Sequence, residues 1–258
     1  MIDSMNTLLY ENRDGIGLVT LNRGTANALN TEMLKEITTL FLQLRGDQTV
    51  KGVIITGKGN FFSAGLDVVE LVGYDEPESK VFWTAFSHMM ATLADFPKPL
   101  ATAINGHSPA GGCIIAITAD FRVMAEGDQF KIGLNEVPVG IVVPMPVYKL
   151  YSMWVGTRHA YQFLLQGKLL NPTEAYRAGL VDVLVPQDQV LATTENMMRE
   201  MLQLDPITFS TTKANLRADI VHLLKGDFDA TFGDTFRHWW DPAARERLLA
   251  LVARLKKK

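Results

Sequence analysis

A short apolar stretch runs into a glycine-rich bend and then into a second apolar stretch, and this feature most limits how the chain can fold. Leu100–Ile104 is short and apolar, which is typical of a buried strand. The bend at 105–112 (NGHSPAGG) follows, and the segment Cys113–Ala119 is long enough for a helix. A strand, a bend and a helix start present backbone N–H groups to whatever lies above them. The pattern favours an α/β fold with a site that stabilises a developing negative charge.

A second glycine turn and one carboxylate extend this pattern. The turn lies upstream at 61–67 (FFSAGLD), and Glu136 lies downstream between Asn135 and the apolar segment 137–141. Apolar surroundings raise the pKa of a carboxyl group and suit it to general base catalysis near neutral pH. The alternative is a surface glutamate on a turn. Two donor loops and one acid indicate an oxyanion with a single proton carrier.

Strand and helix signals alternate along most of the chain, as expected for a β/α core. Turn residues at 12–15 predict a hairpin, and Asn30 is in a position to cap a helix. Proline residues at 97 and 99 are expected to end the helix before them. The predicted elements are strands at Leu8–Tyr10, Ile16–Leu21, Gly52–Gly57 and Val181–Val185, and a helix at Ser79–Asp95.

The pattern changes to helical from residue 187 onward, with breaks expected at Gly226 and Gly233. We therefore predict a core at residues 1–190 and a helical region at residues 191–258. Aromatic residues recur in this region at spacings of roughly three and four. They either pack on the chain's own core, or form a subunit interface or a wall of the ligand site. These residues are Phe228, Phe232, Phe236, Trp239 and Trp240.

Composition excludes several classes of protein. The net charge of the 258 residues is −3, which gives no reason to expect a nucleic-acid partner. The single cysteine, Cys113, excludes an intramolecular disulfide and fits a reducing compartment. No apolar run reaches the ~18 residues of a membrane span. Residues 1–6 lack the features of a signal peptide, so we expect a cytoplasmic location, or an organelle matrix if a transit peptide has been removed.

Three other motifs carry weaker signals. Residues 106–110 (GHSPA) nearly match a serine hydrolase elbow, but Pro109 follows the serine and has no N–H to donate to an oxyanion. Residues 57–59 (GKG) resemble the start of a dinucleotide fingerprint, but Phe62 replaces its third glycine. The five histidines show no metal-ligand spacing, so no metal site is expected. Cys113, among apolar residues, favours core packing over a nucleophile.

Three motifs in order resemble the crotonase superfamily of enoyl-CoA hydratases and isomerases. They are 62–67 (FSAGLD), 103–113 (AINGHSPAGGC) and 178–181 (AGLV), and the similarity extends from about Leu8 to the C-terminus. The resemblance implies a crotonase-like spiral of ββα units with a C-terminal helical region used in trimerisation. It also implies a coenzyme A thioester as ligand. No separate cofactor is expected, because coenzyme A is part of the substrate.

The resemblance also implies roles for individual residues. The backbone N–H groups of Leu66 and Gly111 would hold the thioester oxygen, and Glu136 would be the acid/base. The loop at 63–67 would lie against the CoA moiety. A structural role is the alternative to ligand binding for three of these residues. Gly111 and Gly112 would then allow close packing of the helix, and Asp67 would cap the next helix. The implied substrate-binding residues are Ser63, Ala64, Gly65, Asp67, Gly112 and Asn135.

The number of carboxylates separates the branches of the superfamily. Hydratases of the superfamily resemble one another in having a glutamate directly after the Gly-Gly-Cys motif. This chain has Ile114 at that position. Adding water needs two proton-relaying groups, whereas moving a double bond needs one. The segments 108–113 and 132–136 are similar to mitochondrial-type Δ3,Δ2-enoyl-CoA isomerases.

We therefore predict a 3,2-trans-enoyl-CoA isomerase of fatty acid β-oxidation. Its partners would be an acyl-CoA substrate and further copies of this chain, as a homotrimer or dimer of trimers, with no membrane partner. One alternative is a hydratase or another crotonase-type acyl-CoA enzyme. The other is a non-catalytic binding protein on the same fold, for which the basic end at 256–258 is the only support.

Overall fold

A six-stranded sheet forms the centre of the computed structural model, which describes residues 5–255. The sheet has the strand order β1-β2-β3-β4-β6-β8, and β5 and β7 form a separate parallel pair. The N-terminal residues 1–4 and the lysines at 256–258, both considered above, lie outside the described residues. The strands are β1 (Leu8–Arg13), β2 (Ile16–Leu21), β3 (Gly52–Gly57), β4 (Leu100–Ile104), β5 (Ser108–Pro109), β6 (Phe121–Ala125), β7 (Ile132–Gly133) and β8 (Val183–Val185).

The predicted hairpin is confirmed, and it begins the sheet. Strands β1 and β2 pair antiparallel, and the turn between them places Asp14 and Gly15 at positive φ, as a two-residue hairpin turn requires. From β2 onward the strands pair in parallel. Every residue of β3, β4 and β6 is buried, because a parallel sheet is covered on both faces.

Helices cover this sheet and surround it. Helix α8 packs on β3, β4 and β6, while α3 packs against α1, α9 and α10. A short 3₁₀ turn at Gln187–Gln189 precedes α8. The helices are α1 (Thr31–Gly46), α2 (Val68–Leu71), α3 (Glu76–Ala94), α4 (Gly111–Thr118), α5 (Glu136–Val139), α6 (Met145–Gln166), α7 (Pro172–Arg177), α8 (Val190–Met201), α9 (Pro206–Lys225), α10 (Phe228–Trp239) and α11 (Pro242–Leu255).

Element types agree with the sequence predictions, and the differences lie at their ends. Asn30 caps α1 by accepting a hydrogen bond from the N–H of Met33. Helix α3 begins at Glu76 instead of Ser79, because Asp75 forms a capping box ahead of the apolar pattern. The break predicted at Gly233 is wrong. A glycine inside a helix costs only about 1 kcal/mol, and α10 continues through it while packing on α3.

The aromatic residues of the C-terminal region pack on the chain's own core. Phe232 and Trp239 are fully buried. The Trp239 ring lies edge-on to Trp83, with centroids 5.7 Å apart, and the Phe232 ring lies 6.4 Å from Phe86. These aromatics therefore do not argue for a subunit interface. The boundary at residues 190–191 stays a prediction, and helix α8, which begins at Val190 and crosses it, lies directly on the sheet.

Candidate active site

Three segments that are distant in sequence meet at one end of the sheet. The turn at 108–112 pairs with the segment before Glu136, since β5 lies parallel to β7 and the N–H of Ala110 donates to the carbonyl of Gly133 at 2.8 Å. The loop at 63–67 lies against the same turn through Gly65. The fold thus brings together both glycine motifs and the glutamate-bearing segment that sequence analysis singled out.

Contact between Gly65 and Gly111 sets the distance between the two glycine motifs. A Cβ atom on Gly65 would lie 2.8 Å from the Cβ of Ala110 and 2.9 Å from the amide nitrogen of Gly111. A Cβ on Gly111 would lie 3.2 Å from the Cα of Gly65. Gly65 also has a φ of +87°. Glycine is required here because two backbones are in contact.

The N–H groups of Leu66 and Gly111 are available to a ligand. Leu29 bonds to the residues on either side of Leu66, accepting from Asp67 and donating to Gly65, so the N–H of Leu66 itself is directed away from Leu29. Gly111 is the first residue of α4, where an N–H has no partner within the helix. Within residues 5–255, neither N–H has a hydrogen-bond partner outside regular helix and strand bonding.

Ala110 has a strained backbone conformation, and it precedes the peptide that carries the Gly111 N–H. Its φ of 49° and ψ of −120° lie in a region that favours glycine. Its N–H donates to Gly133 and its carbonyl accepts from Ile114, which fixes the residue on both sides. Strain of this kind costs about 1–3 kcal/mol and persists only where the surroundings impose it. Here it orients the Gly111 N–H.

The polar side chains of the loop at 63–67 are engaged within the protein. Ser63 is fully buried, and its hydroxyl donates to the carbonyl of Asn27 and accepts from the N–H of Gly65. Asp67 caps α2, which confirms the structural alternative for this residue, and it pairs with Arg23 at 2.7 Å. Ala64 is half-buried. Sequence analysis assigned Ser63 and Asp67 to substrate binding, but their side chains bond within the protein and so shape the loop.

Sequence analysis missed Asn27, which supports this loop from beneath. It has a φ of +48° and is fully buried. Its side-chain amide donates to the carbonyls of Lys58 and Phe61 at 3.1 and 2.9 Å. Asparagine is one of the few residues besides glycine that tolerates this conformation, but an isolated asparagine in a loop gives no sequence signal.

Glu136 is buried at the start of α5. It is 6% exposed, and its Oε2 atom is sealed from solvent without a partner among the described residues. Burial raises the pKa of its carboxyl group to about 7. The apolar surroundings of Glu136 therefore raise its pKa as predicted, and the alternative of a surface glutamate is wrong. A carboxyl group with this pKa can both accept and return a proton at neutral pH.

Two other predicted site residues and Ile114 have separate structural roles. A Cβ on Gly112 would lie 2.5 Å from the carbonyl oxygen of Ser63, so Gly112 allows α4 to pack on the loop. Asn135 is half-buried directly before Glu136, and its side chain does not cap α5. Ile114 is buried at 4% exposure. It places hydrocarbon where the resemblance implies a second carboxylate in hydratases.

The weaker motifs form no second site. Ser108 is fully buried in β5 with Pro109 beside it, which excludes a nucleophile elbow there. Cys113 is fully buried, and burial raises the pKa of its thiol well above the usual range, as expected of a core residue. Residues 5–255 contain no cluster of three or more metal-ligating side chains. They also contain no helix long and apolar enough to span a membrane.

Comparison with known proteins identifies the family. The family model for enoyl-CoA hydratase/isomerase matches residues 11–236. The mitochondrial enoyl-CoA delta isomerase 1 of mouse is 36% identical over 204 residues, which is 79% of this chain and 71% of the mouse protein. The chain belongs to the enoyl-CoA hydratase/isomerase family. The human mitochondrial Δ3-Δ2-enoyl-CoA isomerase structure superposes with a TM-score of 0.94 at 30% identity, covering 98% of this chain and 99% of that one.

This family includes relatives named for two reactions. A short-chain-enoyl-CoA hydratase from Clostridium acetobutylicum is 29% identical over 238 residues, covering 90% of each chain. The crotonase-like α/β fold that the sequence predicts is confirmed by the family match and by the human structure. The chain is therefore a crotonase-family protein, and its relatives are named for reactions of enoyl-CoA.

Proposed function

We propose that this chain is a 3,2-trans-enoyl-CoA isomerase, which moves a C3 double bond to C2 in acyl-CoA thioesters during fatty acid β-oxidation. The proposal depends on one observation. A single buried carboxyl group, Glu136, lies in the segment bonded to the donor turn, and the second carboxylate position is occupied by buried Ile114. The similarity to isomerases of mouse and man supports it.

The geometry supports a proton shuttle on one face of the substrate. The thioester oxygen would accept hydrogen bonds from the N–H groups of Leu66 and Gly111. The Glu136 carboxylate would take a proton from C2, and the electron pair left behind would spread over the dienolate, whose negative oxygen the two N–H groups stabilise. Protonated Glu136 would then deliver the proton to C4, which leaves the double bond between C2 and C3. No cofactor beyond the substrate's own coenzyme A is needed.

Hydration is the strongest competing reaction, because probable enoyl-CoA hydratases are among the relatives at 32% identity. Water addition needs one group to deprotonate the water and a second to protonate the carbon. Ile114 cannot serve as either. The non-catalytic alternative depends on the basic end at 256–258, outside the described residues, whereas the free N–H groups and buried Glu136 support catalysis.

Product analysis of the unmodified protein tests this proposal. Incubation with a 3-enoyl-CoA is expected to yield the 2-trans-enoyl-CoA, identified by mass-neutral conversion and by its conjugated-thioester absorbance. Incubation with a 2-enoyl-CoA in water is expected to yield 3-hydroxyacyl-CoA more slowly. If hydration is the faster of the two reactions, the hydratase interpretation is correct and the isomerase proposal is wrong.

We further propose that the chain assembles as a homotrimer or a dimer of trimers, with its C-terminal helices at the interface. Large apolar residues on or near α9, in the C-terminal region, and on α6, which precedes that region, support assembly, because each is at least half exposed in the single chain. Light scattering is expected to give a mass of three or six chains, and a stable 28.6 kDa species at micromolar concentration would contradict it. The residues are Met145, Tyr161, Leu165, Leu204, Ile207 and Leu216.

Relatives with mitochondrial in their names and relatives from bacteria support a location in an organelle matrix or in a bacterial cytoplasm.

A further inference from the structure

Several buried side-chain polar atoms of residues 5–255 have no hydrogen-bond partner, and two of them lie on helices that pack together beside the candidate site. One is the Oε2 atom of Glu136, and the other is the hydroxyl of Tyr151 on α6. Tyr151 is fully buried and is among the largest side chains so enclosed. Burying a hydroxyl without a hydrogen bond destabilises the folded state, so a tyrosine hydroxyl sealed from solvent calls for an explanation.

Tyr151 and Glu136 lie on helices that pack together. Helix α6 contacts α5, which begins with Glu136, and α4, which carries Cys113. Burial raises the pKa of the Tyr151 hydroxyl, and the negative charge of Glu136 raises it further. The hydroxyl therefore lies within electrostatic reach of the Glu136 carboxyl group.

We propose that Tyr151 is a positioning residue whose hydroxyl donates to the Oε2 atom of Glu136 during turnover, directly or through one buried water. This inference rests on the isomerase function proposed above. A carboxyl group that carries a proton from C2 to C4 must keep one oxygen directed at the substrate throughout. A donor on Oε2 leaves Oε1 as the oxygen that exchanges protons. The hydroxyl keeps its own proton, because burial raises its pKa.

Other charged groups near this pair do not take the place of Tyr151. Cys113 faces the pair from α4, and its buried thiol stays protonated. Arg247 of α11 lies at the far end of α5, beside Gly140. Lys213 and Arg217, which are the buried cations among the residues of α9, bond to Asp120. Among the described residues of α6, Tyr151 and Ser152 each have a buried hydroxyl without a partner, and Tyr151 is the one whose pKa responds to Glu136.

The test is a titration of Glu136 in Tyr151→Phe, with Ser152→Ala as the matched control. Ser152 is the next residue of the same helix, and its buried hydroxyl also lacks a partner. Glutamate labelled with ¹³C at the side-chain carboxyl, with the Glu136 signal assigned by its loss in Glu136→Gln, reports the pKa by NMR. A hydrogen bond to a carboxylate favours the charged form, so Tyr151→Phe is expected to raise the Glu136 pKa by about one unit. Ser152→Ala is expected to leave it unchanged.

Kinetics provide a second readout on the same variants. Tyr151→Phe is expected to lower kcat by about tenfold with KM unchanged, and to move the acid limb of kcat upward with the NMR pKa. An unchanged Glu136 pKa in a folded Tyr151→Phe protein would overturn the inference, whatever the activity. Should this variant not fold, 3-fluorotyrosine at position 151 is a stronger donor and is expected to lower the Glu136 pKa. Absence of isomerase activity in the parent would overturn the proposed function but would leave the NMR result to decide the role of Tyr151.

Discussion

Glu136→Gln is expected to lower isomerase turnover by about 10²–10⁴-fold, the usual contribution of a general base. The glutamine keeps the size and polarity of the side chain but cannot accept the proton from C2. Acyl-CoA binding is expected to change little, because the N–H groups of Leu66 and Gly111 come from the backbone. Steady-state kinetics with a 3-enoyl-CoA and calorimetry with a non-reacting acyl-CoA measure the two effects separately.

The pH dependence of the parent protein is part of the same prediction. Glu136 must be ionised to act as the base, and its pKa is about 7. Therefore kcat/KM is expected to rise with pH through about 7 and then level off. The buried carboxyl group binds its proton more tightly in the folded state than in the unfolded state, so its contribution to stability falls as pH rises from the unfolded pKa to the folded one. Glu136→Gln should consequently melt at a higher temperature than the parent at pH 8.

Glu126→Gln is the matched control, because Glu126 is exposed at the end of β6. It is expected to leave turnover and the acid limb unchanged. If Glu136→Gln is folded and keeps most of the parent activity, another residue is the base and the proposed mechanism is wrong.

Gly65→Ala is expected to lower turnover by about 10²–10³-fold, the effect of losing one oxyanion donor. The new methyl group would lie 2.9 Å from the amide nitrogen of Gly111 and 3.0 Å from the carbonyl oxygen of Pro109, so backbone must move. That movement separates the N–H groups of Leu66 and Gly111. Because both donors serve the dienolate more than the substrate, kcat is expected to fall more than KM rises.

Gly59→Ala separates this effect from the cost of backbone conformation. Gly59 has a φ of +82°, close to the +87° of Gly65, but a Cβ there meets nothing within 4 Å. Both variants are expected to lose about 1 kcal/mol of unfolding free energy through the positive φ. Only Gly65→Ala is expected to lose turnover. Equal activities in the two variants would show that the contact between Gly65 and Gly111 does not set the donor geometry.

The amino-acid sequence alone is enough to predict the order of the elements and the central residues of the candidate site. Leu100–Ile104, the hairpin turn at 12–15 and the Asn30 cap follow from local patterns, because turns, caps and apolar runs depend on neighbouring residues. Glu136 is recognisable as a candidate functional residue because burying a carboxyl group in an apolar segment destabilises the fold. Ile114 was informative for the opposite reason, because hydrocarbon at that position leaves Glu136 without a second carboxylate.

Which segments meet, and what the remaining side chains do, depends on how the whole chain packs. Gly65 contacts Gly111, which lies 46 positions further along the chain, and no local pattern in the sequence encodes this contact. Tyr151 fits the apolar pattern of a helix in the sequence, and only the folded chain, in which α6 packs against α4 and α5, shows that its side chain is fully buried. The C-terminal aromatics fitted a core or an interface equally well by spacing, since spacing fixes which face of a helix is apolar but not which surface covers it. Helix α3 covers that face in this protein.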